Sequence, residues 1–293
     1  MKHTLPVSLL LIGIFLVSQI VGLAVINKDA NVNVLPSGEI EVTHKETALG
    51  ERPEIKGGTT TAYILGALII GTLILLVLIK YQKFVLWKLW YFTAVWATLT
   101  ITIGVFLLPI PSGIIALILA VLKMYRPNLI VHNVTEVMMY SGIALLFVPL
   151  LDVKWMIVIL LLVALYDAYA VWKSKHMIKM ARFTMDSKVF AGLAIPYKGE
   201  RITAKAGRAK GRTAILGGGD VAFPLMFSGV VMEWLMQEGV SKLGAFYESL
   251  FIVAFATAAV AYLLLKGEKG KFYPAMPFIT AGCIIGYLII LLL

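Results

Sequence analysis

The chain has 293 residues, 60% of them hydrophobic and only 14% charged, with a mean hydropathy of +0.91. A soluble domain runs nearer half apolar and a quarter charged, so composition excludes an ordinary soluble globule and predicts an all-α polytopic membrane protein. The net charge of +10 is concentrated in loops. Eleven Lys/Arg against Asp186 and Glu200 lie within Lys173–Arg212 alone, which reads as a loop on the positive side of a membrane and not as a nucleic-acid surface.

Apolar stretches of about 20 residues match a bilayer, and nine are expected in chain order. They are Leu5–Ile26, Thr61–Lys80, Val85–Leu108, Ser112–Lys123, Leu129–Leu150, Val153–Trp172, Thr213–Met236, Gly244–Leu265 and Pro274–Leu293. The first is too long for a typical signal-peptide core and no cleavage site follows it, so it reads as a retained helix. The fourth is short and follows Pro109 and Pro111. The chain thus divides into 1–172 with six helices, a basic loop 173–212, and 213–293 with three.

Loop charge sets the orientation. Lys80, Lys83 and Lys88, then Lys123 and Arg126, then the basic loop, then Lys266, Lys269 and Lys271 fall on alternate loops. The loops between them carry few basic residues, or, in Asn27–Thr60, six acids against four bases. The alternation places the N-terminus in the cytoplasm and the C-terminus outside, in a multi-pass protein of the cell membrane. Trp87, Trp90, Trp155, Trp172 and Trp234 fall at span ends, as an interfacial aromatic belt would.

Two aspartates interrupt this apolar background. Asp167 follows Tyr166 near the end of the sixth stretch, and Asp220 closes Gly217-Gly218-Gly219-Asp220 near the start of the seventh. A carboxylate at mid-bilayer costs roughly 2.5–3.5 kcal/mol on insertion scales, so retaining one points to use. Each lies six or seven residues from the basic loop, roughly 8–10 Å below the cytoplasmic ends of antiparallel helices. Equal depth lets the pair face one another, and two close carboxylates share a proton. One member can then take a proton from water while the other donates to a peptide carbonyl, which suffices for hydrolysis without metal or cofactor.

The neighbouring residues fit that use. On a helix, Leu216 and Gly217 would share a face with Asp220, so Gly217 clears space beside the carboxylate. Pro224, four residues on, cannot donate to the Asp220 carbonyl, and a kink is expected. Loosened helix beside a charge belongs against a watery cavity, not lipid. The apolar island Val189–Pro196 in the basic loop reads either as a short strand packed on the helices or as a flap that pairs with an extended substrate.

Tyr166-Asp167, then Gly217-Gly218-Gly219-Asp220, then Pro274-Ala275-Met276 in the last stretch resembles the motif order of presenilins and signal peptide peptidases, intramembrane aspartyl proteases of the Gly-x-Gly-Asp type. The resemblance covers the whole nine-span layout, and its size and orientation are most similar to the archaeal presenilin branch. Met276 stands where the family's third motif has leucine, an apolar change of similar volume. The resemblance implies that Asp167 and Asp220 are the catalytic pair. It also implies that Tyr166, Gly217, Gly219, Pro274, Ala275 and Met276 contact substrate. Substrates would be single-span membrane proteins with their N-termini outside, met within the lipid bilayer. A homo-oligomeric assembly stays open.

A cation channel or proton-coupled transporter could use the same aspartates as ion ligands, but no inverted repeat accompanies them. Cys283 is the only cysteine, and the four histidines follow no zinc-binding pattern. His132 and Glu136 share a helix face and are expected to make a polar contact near the membrane surface. Glu233 is expected to be solvated at the outer end of its span and Glu248 to be interfacial. Ser112 and Ser228 lack a nearby histidine base. Pro277 predicts an extended start to the last span.

Overall fold

The computed structural model describes residues 4–52, 58–126, 128–174, 183, 189–196, 213–268 and 273–293. The element order is α1 (Leu5–Asp29), β1 (Ala30–Val34), β2 (Ile40–His44), α2 (Gly58–Lys80), α3 (Phe84–Gly104), α4 (Pro109–Tyr125) and α5 (Leu129–Phe147). It continues with α6 (Val153–Tyr169), β3 (Gly192–Pro196), β4 (Thr213–Gly217), α7 (Gly218–Gln237), α8 (Lys242–Lys266) and α9 (Met276–Ile290). Most of the basic loop Lys173–Arg212, with the positive-side charge read from it, lies outside the described residues.

Seven of these helices are long and apolar enough to cross a membrane, while α4 and α9 are shorter apolar helices. At 1.5 Å per residue they reach about 26 and 23 Å, short of a hydrocarbon core of about 30 Å. Each expected apolar stretch contains one helix, with shifted ends. The third stops at Gly104 rather than Leu108, and Pro109 begins α4, where its fixed φ and missing N–H suit a first turn. Tyr273 and Pro274 precede α9 outside the helix, and Pro277 falls in its first turn.

Two departures from an all-α reading matter. β1 and β2 form an antiparallel hairpin directly after α1. Thr213–Gly217, expected as helix, is strand β4, paired antiparallel with β3 from Gly192↔Gly217 to Pro196↔Thr213. The apolar island therefore contains a strand, and that hairpin rests against α1, α5 and α7.

Helix α7 is the centre of the bundle. Its central span is the most buried of the seven, and it packs against α1, α5, α6, α8 and α9. A helix apolar on every side belongs in such a place. By contrast α2 turns Ile69, Ile70 and Leu73 outward, as a lipid-facing helix does. Helices α8 and α9 meet closely at Gly282 and Gly286, where added Cβ atoms would lie 2.6 Å from the Phe255 carbonyl oxygen and the Ile252 Cα. Small residues four apart permit this approach.

Glu233 corrects the sequence expectation. It is buried, with its Oε1 3.1 Å from His44 Nε2, close enough for an ion pair though off the line of a good hydrogen bond. His44 Nδ1 lies 3.0 Å from Asp29 Oδ2, which also accepts from Arg52 at 2.9 Å. The C-terminal end of α7 is thereby tied to α1 and the first hairpin. Burial alone would lower the His44 pKa, but Asp29 and Glu233 outweigh it and raise it to about 9.

A raised histidine pKa contributes stability fully present below the unfolded value of 6.5 and lost as pH rises through about 9. The contribution is on the order of 3 kcal/mol. The thermal unfolding temperature in detergent is expected to fall as pH rises across that window in the wild type and to fall less in His44→Gln. Parallel curves for the two proteins would remove His44 as the cause.

Candidate active site

Asp167 lies near the C-terminal end of α6, just before the chain passes into a π-helical turn over Ala170–Ser174. Such turns interrupt the regular ladder and recur at functional sites. The carboxylate is half-buried, and its Oδ2 accepts the backbone N–H of Met276 at 3.0 Å. That amide belongs to the first turn of α9, whose leading N–H groups have no partner within the helix. The bond draws the Pro274-Ala275-Met276 motif onto Asp167. Pro274 and Met276 are buried and Ala275 is half-buried. Tyr166, one residue earlier, is 47% exposed.

Asp220 is the third residue of α7, in its first turn, and is half-buried. Gly217 is the N-cap, with φ −61 and ψ 147. Leu216 and Gly217 are thus in strand β4 and not on the Asp220 helix face as expected. The clearance reading survives by another route, because a Cβ on Gly217 would sit 3.1 Å from Asp220 Oδ2. A Cβ on Gly219 would meet only the Phe223 ring, at 3.7 Å. Helix α7 continues past Pro224, which has no N–H to offer the Asp220 carbonyl. From α1, buried Gln19 donates to the Val221 carbonyl at 2.8 Å.

Helix α6 packs on both α7 and α9. The bundle therefore brings the helices of both aspartates and the third motif together, with Asp167 bonded to Met276 and the space beside Asp220 kept open by the missing side chain of Gly217. Among the described residues no group of three or more His, Cys, Asp or Glu forms a metal-binding cluster.

A family model for signal-peptide peptidase and presenilin aspartyl proteases matches residues 12–293. The chain belongs to this family. Its fold is similar to a presenilin family intramembrane aspartate protease solved in two crystal forms. In the C222 form the TM-score is 0.61 at 18% identity, covering 96% of this chain and 97% of that one. In the P2 form the TM-score is 0.57 at 19% identity, covering 100% and 98%. No curated protein matches. This presenilin-family chain is accordingly a multi-pass membrane protein of an aspartic protease family, and its substrates are expected among transmembrane proteins.

The polar face expected for His132 and Glu136 on α5 is buried in the bundle and larger than the sequence shows. Glu136 is fully buried, not surface-exposed, and its Oε1 accepts Lys123 Nζ at 2.6 Å. His132 lies beside it, with Nε2 2.8 Å from the Gly192 carbonyl oxygen. Asn133 brackets Ala194, donating to its carbonyl and accepting its N–H, both at 2.9 Å. The available signal was an acid inside an apolar stretch with no basic residue in its own helix.

The Gly217 backbone conformation suits any residue, so a larger side chain there acts on the Asp220 carboxylate instead of the chain. Gly217→Val is expected to cut cleavage of a transmembrane substrate by roughly tenfold or more, since small misplacements of reacting groups are costly. The melting temperature should stay close to wild type. Wild-type turnover in Gly217→Val would show that the space beside Asp220 is not used.

Proposed function

We propose that the chain is an intramembrane aspartic endopeptidase of the Gly-x-Gly-Asp type, with Asp167 and Asp220 as its catalytic pair. All nine helices then cross or enter the bilayer, the N-terminus lies in the cytoplasm, and the substrates are single-span proteins whose N-termini lie outside. The observation that carries the reading is the Met276 amide bonded to Asp167. It joins the third motif of the sequence to one of the two intramembrane acids, as a substrate-positioning segment beside a catalytic carboxylate requires.

In this reading the aspartates share one proton. The ionised member takes a proton from water as the oxygen attacks the scissile carbonyl, and the protonated member donates to the developing oxyanion. Collapse of the tetrahedral diol returns a proton to the leaving amine. The Met276 bond holds the Asp167 carboxylate in one orientation, and Gly217 leaves room beside Asp220 for water or the scissile peptide. Tyr166, Gly219, Pro274 and Ala275 line the approach.

A helical substrate hides its backbone, so it has to be held extended. On β3, the outward N–H and C=O groups of Gly192 and Ala194 are occupied by α5 side chains. The flap expectation therefore shifts strands. Ile215 faces Ala194 in a pair that exchanges no backbone hydrogen bonds. Its own N–H and C=O point to the other edge, and its side chain is 39% exposed. An extended substrate segment added at the β4 edge would run beside the strand that leads into Asp220. No observation favours ion transport.

Asp167→Asn and Asp220→Asn, each alone, are expected to reduce cleavage of a reconstituted single-span substrate by at least about 100-fold, and hydroxyl-bearing mimics of the diol should inhibit the wild type. Undiminished proteolysis by either variant would defeat the shared-proton mechanism. Ile215→Pro removes the outward N–H without touching the β3 pairing. It is expected to lower kcat/KM by about tenfold, and an unchanged value would rule out strand addition at this edge.

A further inference from the structure

The α5 network has a geometry that reaches the first turn of α7. Both oxygens of the fully buried Glu136 carboxylate are occupied. Oε1 meets Lys123 Nζ and lies 3.0 Å from the Tyr91 hydroxyl. Oε2 accepts the Gly192 N–H at 2.9 Å and the Tyr140 hydroxyl. One carboxylate thus gathers donors from α3, α4, α5 and β3.

Two of those donors bear on Asp220. Gly192 is paired with Gly217, and it sits so close to the facing strand that an added Cβ would fall 2.5 Å from the Leu216 carbonyl oxygen. Its φ of +153 is open to glycine and strained for other residues. Holding the Gly192 amide therefore holds Leu216 and Gly217, the residues that lead into α7. The second donor, Tyr140, is almost fully buried. A Cβ on Gly218 would lie 3.0 Å from its hydroxyl oxygen and 3.2 Å from Cε1. The phenol is thus pressed against the first helical residue of α7, two before Asp220.

We propose that Glu136 is a positioning residue for the protease reaction: through Gly192 and Tyr140 it fixes Gly217–Asp220, and thereby sets where the Asp220 carboxylate stands. This rests on the assignment of Asp220 as catalytic. The Lys123 ammonium neutralises the buried charge, while the acceptor on the Oε2 side does the positioning. A buried ion pair replaced whole by apolar groups often leaves stability unchanged, whereas removing one partner does not. The function of Glu136 is therefore separable from its charge.

The experiment compares two double variants of the full-length protein in the same lipid. Glu136→Gln/Lys123→Met keeps an amide oxygen for the Gly192 N–H and the Tyr140 hydroxyl. Glu136→Leu/Lys123→Met has the same charge and no acceptor. With a single-span substrate, kcat of the Leu/Met protein is expected to be at least about tenfold below that of the Gln/Met protein, with KM within about twofold. Tyr140→Phe keeps the ring and loses only the hydroxyl. It is expected to lower kcat by about threefold or more with KM unchanged, and it decides the matter where a double variant does not fold.

Amide hydrogen exchange of the 213–221 segment, expected to be faster in the Leu/Met than in the Gln/Met protein, needs no activity. Equal kcat and equal exchange in the two double variants, or wild-type kcat in Tyr140→Phe, would overturn the positioning role. A wild type that fails to cleave, or that cleaves as well after Asp220→Asn, would instead defeat the catalytic assignment while the exchange comparison still decides whether Glu136 holds the segment.

Discussion

A backbone N–H inside an apolar bundle has to find its acceptor within the protein, and this requirement shapes the molecule around its two aspartates. The start of α9 turns an amide to Asp167. The outer edge of β3 turns its amides and carbonyls to His132, Asn133 and Glu136. Non-helical chain can exist beside Asp220 because α5 supplies a polar stripe in an otherwise apolar helix. Each partner costs desolvation when left unpaired, so strand, stripe and carboxylate stand together.

Helix α7 is held at both ends. At its N-terminal end Gln19 bonds the Val221 carbonyl and the Tyr140 phenol abuts Gly218. At its C-terminal end Glu233 meets His44. Between them its side chains are almost all buried. Pro224 interrupts the ladder between these anchors, so the helix carries a weak point near Asp220 while neighbours fix its ends. The catalytic role proposed for Asp220 would use this combination of local freedom from the ladder and external support.

Much of the fold is legible in the sequence because a bilayer demands runs of about 20 apolar residues, and each such run contains a helix. The strand Thr213–Gly217 is not legible. Five apolar or small residues run without a break into α7, and a short apolar run has no period that separates strand from helix. The first hairpin does carry a period of two, in Ala30–Val34 and Ile40–His44, but within a charged loop. Glu136 and Glu233 were misplaced for one reason. Depth along a helix says nothing of which face a residue takes, and their partners come from other elements: Lys123 from the preceding helix, and His44 from a hairpin distant in sequence. The candidate motif residues are legible in the sequence, because Asp167, Asp220 and Pro274–Met276 stand out chemically from their surroundings.

The most direct test of the account is a proximity measurement across the pair. Cys283 is the only cysteine, so Cys283→Ala gives a background in which Asp167→Cys and Asp220→Cys can be introduced together. The short bridging thiol reagent should first join Asp167→Cys to Ala275→Cys, across the α6–α9 contact already seen, to establish that it reaches this depth. The account predicts that it also joins positions 167 and 220, identified by mass spectrometry of the linked peptides. Linkage of the control pair with none between 167 and 220 would contradict a shared proton and the hydrolysis built on it.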